Sequence, residues 1–156
     1  MPVVAWRITA RRDPAGAFDG EGARLFGGRW NRVGTRMVYA SEHLSLAALE
    51  LLVHLDAEDA PARLFRFRCE LPDDAVERLP RTRLPRRWRE YPAPEATAAL
   101  GSEWAARGEA LALAVPSAVV PEELNYLLNP AHPRFAELAL SPGEPFSFDP
   151  RVWKRS

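Results

Sequence analysis

Residues 27–54 read GGRWNRVGTRMVYASEHLSLAALELLVH, and this stretch sets the order of the central elements. Its glycine-rich start predicts a loop, because glycine interrupts regular structure. The following RMVYA, residues 36–40, is rich in β-branched and aromatic residues and predicts a strand. Ser41 is a suitable N-cap for a helix over residues 42–55, in which leucine and alanine recur on one face. A loop, a strand and a helix are therefore expected in direct succession.

Outside this stretch, strands and helices alternate without a regular βαβ rhythm. Six of the nine glycines lie between residues 16 and 34, which predicts a loop rather than an element. Prolines interrupt residues 79–94 and exclude long regular structure there. The patterns predict strands over residues 3–8, 63–71 and 111–115, helices over 94–107 and 122–128, and one or two strands in 135–153. We therefore predict one α+β domain over residues 1–156, with mixed sheets and flanking helices.

The composition excludes several classes of protein. Because 21 basic residues balance 21 acidic ones, a partner that is bulk nucleic acid or an anionic membrane surface is not expected. No apolar run approaches the roughly 18 residues of a membrane span, and no signal peptide is evident, so a soluble cytoplasmic domain is expected. The single cysteine, Cys69, alternates with apolar residues and is predicted to be a buried thiol. No cluster has the spacing of a zinc site, so no metal is expected.

Glu50 is the first residue that suggests chemistry. It stands among leucines in LSLAALELLV, and a carboxylate that is buried there needs a partner. On a helical wheel it lies near His43 and His54. Two interpretations follow: a solvent-facing polar stripe, or a cleft lined by Glu50 with one of the histidines nearby.

The segment GGRWNRVG, residues 27–34, is the second feature of the sequence that suggests chemistry. Its glycines allow the backbone to approach a ligand closely, and Arg29 offers a forked donor for phosphate oxygens. The spacing matches neither a Walker A motif nor a dinucleotide-binding GxGxxG, so an ordinary glycine-rich hairpin remains the alternative. Tyr39, near the end of the next strand, is either a core residue or an aromatic face for a ring.

Two further segments carry polar side chains in unusual numbers. In PSAVVPEELNYLLNP, Ser117 stands at the end of a predicted strand, and Asn125 and Asn129 are four residues apart on the predicted helix. Their simpler interpretation is a turn residue and a helix stop. Residues 78–89 hold six arginines without an acid among them and are either a solvated surface or a nucleic-acid contact.

Taken together, these segments resemble the RES domain, the toxin of bacterial RES–Xre toxin–antitoxin systems. The matching pieces are WRI near the start, GGRWNRVGTRMVYASEHLSLAALELLVH, PSAVVPEELNYLLNP and the closing FSFDPRVW. They span nearly the whole chain, although residues 73–94 contain no motif of the family. The resemblance implies a fold like that of the ADP-ribosyltransferases and an enzyme that consumes NAD⁺ as its substrate, without a metal.

The resemblance also implies roles for particular residues. Arg29, Tyr39 and Glu50 take the catalytic positions of the family. Arg29 and Tyr39, together with Arg7 in WRI and with Ser117, take the positions that bind NAD⁺. His43, His54 and Asn125 lie in matching blocks, but the resemblance implies no role for them.

For function, the resemblance implies cleavage of the nicotinamide–ribose bond and depletion of NAD⁺. The acceptor is inorganic phosphate in an NAD⁺ phosphorylase, water in an NAD⁺ glycohydrolase, or a protein side chain in an ADP-ribosyltransferase. The implied partners are a second copy of the chain, in a homodimer, and an Xre-type helix-turn-helix antitoxin that blocks the cleft. A different class of function, a non-enzymatic module that binds RNA or protein through the arginines of residues 78–89, is the alternative.

Overall fold

The computed structural model describes residues 1–55 and 63–154. Within them, eight strands form one mixed sheet: β1 Val3–Thr9, β2 Val38–Ser41, β3 Leu64–Leu71, β4 Val76–Arg78, β5 Ala112–Pro116, β6 Leu124–Leu128, β7 Ala139–Leu140 and β8 Glu144–Phe146. The order is β4-β5-β6-β2-β1-β3-β7, and β8 also pairs with β3. The β4–β5 pair is parallel, whereas β1, β2, β3 and β6 pair with their neighbours in antiparallel fashion.

Four α-helices accompany the sheet in the described residues: α1 Pro14–Ala17, α2 Glu21–Phe26, α3 Leu44–Leu52 and α4 Glu95–Arg107. Short 3-10 turns cover Asp73–Ala75, Arg81–Arg83, Pro133–Glu137 and Pro150–Trp153. A mostly antiparallel sheet with few helices confirms the predicted α+β class. None of the helices in the described ranges is long and apolar enough to cross a membrane.

The two faces of the sheet have different neighbours. Pairing aligns Trp6 with Ser41, Ser41 with Asn125, and Asn125 with Val115, so these four side chains share one face. Residues of α3 pack against Trp6 on this face, and residues of α4 pack against Val115. We call it the helix face. The opposite face carries a separate core, in which the predicted buried thiol of Cys69 is fully enclosed.

The helix predicted over residues 122–128 is wrong, because β6 occupies most of this segment. Tyr126, Leu127 and Leu128 are all buried in succession. A strand in the middle of a sheet buries both of its faces, whereas a short surface helix would expose one side. The position between β5 and β2 therefore overrides the local helical pattern.

Two smaller predictions also need correction. The segment that was expected to be only a loop, residues 16–34, contains the end of α1 and all of α2. The start of α1 is stabilised by the Asp13 carboxylate, which accepts a hydrogen bond from the amide of Gly16 over 2.7 Å. Ser41 is not an N-cap but the last residue of β2, and α3 begins after His43. The other predicted strands and the helix over residues 94–107 are confirmed to within about two residues.

Candidate active site

Glu50 lies on the last turns of α3, above the helix face of the sheet. Its Oε1 atom accepts two hydrogen bonds of 2.6 Å, one from Ser117 Oγ and one from Asn125 Nδ2. Ser117 follows β5, and Asn125 belongs to β6. Glu50 therefore has hydrogen-bond partners on β6 and directly after β5, both distant in sequence, which a purely solvent-facing stripe would not provide.

The two partners of Glu50 are themselves held in place. Ser41 Oγ donates to Asn125 Oδ1 over 2.7 Å across the β2–β6 pair. Ser117 is fully buried, and its Oγ accepts hydrogen bonds from the amides of Val119 and Val120, each over 3.0 Å. The result is a connected polar network that ends on one oxygen of Glu50. In the part of the chain that the structure describes, no protein donor reaches the second oxygen, Oε2.

Arg29 faces the same region from the loop that precedes β2. Its Nη1 atom donates to the carbonyl oxygens of Trp88 and Glu90, over 2.8 and 2.7 Å. Partial burial lowers the pKa of the Arg29 guanidinium below its usual value, and the negative charge of Glu50 opposes this shift. Nη1 thus fixes one end of the Arg29 guanidinium, and the guanidinium lies close enough to Glu50 for the two charges to interact.

Tyr39 holds this loop against the sheet. Its hydroxyl donates to Asn31 Oδ1 over 2.6 Å and accepts the Trp30 amide over 3.1 Å. Burial raises the pKa of the Tyr39 phenol well above its usual value, so the hydroxyl keeps its proton at neutral pH. The Asn31 amide group donates to three carbonyl oxygens of the surrounding loop. Asn31 is a residue that the sequence reasoning missed, although it stands inside the RWN motif.

Comparison with known proteins identifies the family. The model of the RES domain matches residues 4–149, nearly the whole chain. The chain belongs to the RES domain family. The resemblance that was inferred from the sequence motifs is thereby confirmed.

Relatives of this RES domain include proteins with toxin names. A Toxin Res of Yersinia enterocolitica is 40% identical over 152 residues, covering 96% of the chain and 99% of that protein. A protein of a Sphingobium species, named Prs ADP-ribosylating toxin, is 37% identical over 100% of both chains. A chain in the crystal structure of the M. tuberculosis MbcT-MbcA toxin-antitoxin complex has a TM-score of 0.70 at 21% identity, covering 94% of this RES domain and 85% of that chain, which shows a shared fold.

Arg7 of the RES domain lies apart from the other predicted site residues. It pairs with Phe67, a residue of the opposite core, and therefore projects from the face of the sheet that Glu50 does not face. Its guanidinium donates to the carbonyl oxygens of Ala17 and Tyr39, over 2.7 and 3.0 Å. Burial lowers the pKa of Arg7 to about 10, against the opposing charge of Asp19, so it stays ionised at neutral pH. In this arrangement it ties α1 to β2.

The two histidines do not form a stripe with Glu50. The exposed His43 lies beside Glu42, with 3.9 Å between Nε2 and Oε1, and the ring of His54 lies 6.3 Å from the ring of Tyr91. Neither imidazole bonds to Glu50 within the described residues. His54 and Tyr91 instead bring the end of α3 close to the arginine-rich segment.

Half of the arginine cluster of this RES domain is occupied by contacts with its own chain. Arg81 and Arg89 donate to backbone carbonyl oxygens of residues 118–121, and Arg87 pairs with Glu90 over 2.8 Å. Arg89 thereby ties the arginine-rich segment to the turn that follows Ser117. These contacts favour a structural role for the arginines, in which they hold the segment next to the site, over the contact with nucleic acid that was considered from the sequence.

Two open clefts of about 410 and 350 Å³ flank the site without including Glu50. The larger is lined by Glu42, Arg78, Leu79, Arg81, Ala114, Pro116, Glu122 and Leu124. The smaller borders the outer side of the glycine-rich loop, at Phe26, Gly28 and Val33. The candidate site is therefore defined by its hydrogen-bond network rather than by an enclosed cavity.

Proposed function

We propose that this RES domain is an NAD⁺-consuming toxin whose site is organised around Glu50. The observation that carries the proposal is the Glu50 carboxylate, fixed through Oε1 by Ser117 and Asn125, with no donor to Oε2 among the described residues. The toxin names of the relatives support the biological part of the proposal. A fixed carboxylate opposite a cationic loop suits a substrate that develops positive charge on a sugar and carries phosphates.

The proposed reaction breaks the bond between ribose C1′ and the nicotinamide nitrogen. Nicotinamide leaves with the bonding electron pair as a neutral ring, and C1′ passes through an oxocarbenium-like state, as in glycoside cleavage. Glu50 Oε2 accepts a hydrogen bond from a ribose hydroxyl and stabilises the positive charge that develops. An acceptor oxygen then bonds to C1′ and releases its proton to solvent.

The remaining residues would bind the substrate. Arg29 Nη1 already donates to two carbonyl oxygens, so the other guanidinium nitrogens are the donors that would bind the pyrophosphate. The half-buried ring of Tyr39 would line the nicotinamide position, while its hydroxyl holds the loop. Ser117 would act next to the ribose, through its contact with Glu50.

The acceptor distinguishes the candidate activities. Inorganic phosphate makes the chain an NAD⁺ phosphorylase and water makes it an NAD⁺ glycohydrolase. An ADP-ribosyltransferase acting on a protein is the second candidate, and the name of the Sphingobium relative, Prs ADP-ribosylating toxin, favours it. We propose, as partners, a second copy of the chain and an Xre-type helix-turn-helix antitoxin that covers the site.

The test is incubation of the purified chain with NAD⁺, with and without inorganic phosphate, followed by identification of the ribose product by mass spectrometry. We expect nicotinamide release, with a loss of about 100-fold or more in Glu50→Gln because a preorganised charge is removed. Glu103→Gln, an exposed glutamate of α4, is the matched control and should keep full activity. A folded parent chain that releases no nicotinamide, or a fully active Glu50→Gln variant, would contradict the proposal.

A further inference from the structure

The orientation of Glu50 depends on a side chain to which the sequence motifs assigned no role. Asn125 and Ser117 both donate to Oε1, and in the described residues Oε2 has no protein donor. We propose that Asn125, itself oriented by Ser41, is a positioning residue that turns Oε2 of Glu50 toward the substrate. This inference rests on the proposed function and specifies that Oε2, rather than Oε1, of Glu50 contacts the substrate.

The first argument is the place of Asn125 in the sheet. It lies on β6, paired with Ser41 of β2 on one side and with Val115 of β5 on the other. Backbone hydrogen bonds on both sides therefore fix its Cα. A polar side chain in such a strand is costly unless it is bonded, and Asn125 uses both ends of its amide group, one on Ser41 and one on Glu50.

The second argument is the direction of the Asn125 amide. The buried Ser41 hydroxyl has Oδ1 as its acceptor in the described residues, and a reversed amide would leave the Ser41 proton without one, so the orientation with Nδ2 toward Glu50 is favoured. A reversed amide would place its oxygen 2.6 Å from the Glu50 carboxylate oxygen, where two acceptors repel each other. Ser41 and Glu50 thus favour the same orientation of the amide, and Ser41 acts on Glu50 only through Asn125.

The third argument is that Ser117 acts in the same way. Its oxygen already accepts the amides of Val119 and Val120, so its single proton is free to point at Glu50. Two donors on one oxygen, one from β6 and one from the residue after β5, restrict the orientation of the carboxylate. The second oxygen shares the delocalised charge of the carboxylate, and, with no protein donor in the described residues, it is the oxygen left for a substrate hydroxyl.

The test compares Asn125→Asp and Ser41→Ala with the parent in steady-state NAD⁺ cleavage. Asn125→Asp keeps the shape but removes the donor, so kcat should fall by about 100-fold at neutral pH while KM changes by less than about threefold. Ser41→Ala removes only the orientation of the amide and should lower kcat by about 3- to 10-fold.

The pH profile separates positioning from a merely structural role. In Asn125→Asp, two carboxyl groups face each other and share a proton, so acidification restores a donor to Glu50. The kcat of this variant should therefore recover as the pH falls, in contrast to that of the parent. Asn129→Asp is the matched control, because Asn129 is a buried asparagine directly after β6 and, in the described residues, its side chain bonds only to backbone groups of Ala105 and Ala131. It should lose stability but keep the kcat and pH profile of the parent.

Each result decides between the two proposals. An active parent with an unchanged kcat in Asn125→Asp, or an effect confined to KM, overturns the positioning role alone. A folded parent without NAD⁺ cleavage overturns the proposed function. In that case the side-chain amide resonances of Asn125, measured by ¹⁵N NMR, still test the geometry. One of the two amide protons should shift in Ser41→Ala and in Glu50→Gln, and unchanged resonances in both variants would overturn the inference.

Discussion

The hydroxyl of Tyr39 stabilises the fold, and its removal in Tyr39→Phe gives a direct test of that assignment. The change deletes one oxygen and leaves the ring in place. That oxygen donates to Asn31 Oδ1 over 2.6 Å and accepts the Trp30 amide over 3.1 Å. Asn31 is 1% exposed and Trp30 is 3% exposed, so water is poorly placed to replace the lost partner.

The magnitude follows from these two contacts. A buried polar group that loses its partner costs about 1–3 kcal/mol, so two such groups predict a loss of roughly 2–6 kcal/mol in the free energy of unfolding. With a typical dependence of about 2 kcal/mol per molar urea, the unfolding midpoint should fall by about 1–3 M. This is a large fraction of the roughly 5–15 kcal/mol that stabilises a domain.

The assay is equilibrium unfolding in urea, followed by tryptophan fluorescence, for Tyr39→Phe and for Tyr126→Phe as a matched control. Tyr126 is 5% exposed, and within the described residues no protein group bonds to its hydroxyl. Its loss should therefore change the free energy of unfolding by less than about 0.5 kcal/mol. Equal effects of the two substitutions would refute the assignment of Tyr39 as the residue that holds the loop.

Three further predictions concern packing, ionisation and the opposite face. In Gly101→Ala, the added Cβ would overlap the carbonyl oxygen of Trp30, so thermal unfolding should show that the free energy of unfolding falls by about 1–3 kcal/mol or more. In Gly22→Ala, the added Cβ meets no neighbouring atom, so the free energy of unfolding should stay the same or rise. Burial raises the pKa of the Cys69 thiol to about 12, so iodoacetamide at pH 8 should react with it only after unfolding. Above about pH 8.5 the thiol ionises in the unfolded chain but not in the folded one, so the free energy of unfolding should fall as the pH rises. Cys69→Ala should lack this pH dependence. Arg7→Met should lower the free energy of unfolding by about 1–3 kcal/mol and leave the KM for NAD⁺ unchanged; a raised KM at unchanged stability would instead assign Arg7 to substrate binding.

Local pattern was sufficient for most strands of the fold. The alternating LFRFRCEL became β3 with its cysteine buried, and VYAS became the central β2. The pattern was insufficient for residues 122–128, where apolar residues are compatible with both a short helix and a buried strand. Pairing with β2 and β5 decides that segment, and these partners are distant in the sequence.

The candidate site shows the same division. Glu50 was recognisable because a carboxylate among leucines requires a partner, and the family motifs marked Arg29, Tyr39 and Ser117. The identity of the partners was not recognisable. Asn125 was predicted to lie on a helix, and its contact with Glu50 exists only because β6 is a strand.

The position of Arg7 in the fold shows that a sequence motif does not specify the face of the sheet on which a side chain lies. Its place in WRI suggested a substrate contact, but the alternation of side chains along β1 directs it to the opposite face.

By itself, the sequence determined the family and the α+β class, and it pointed to the residue types of the candidate site. Periodicity and motifs are local properties of the chain, and the RES motifs extend over nearly all of it. Only the tertiary structure decided which oxygen of Glu50 is held and which is open, and that Arg7 lies on the other face. The physical reason is that hydrogen bonds between distant strands depend on register and on the face of the sheet, which no local pattern specifies.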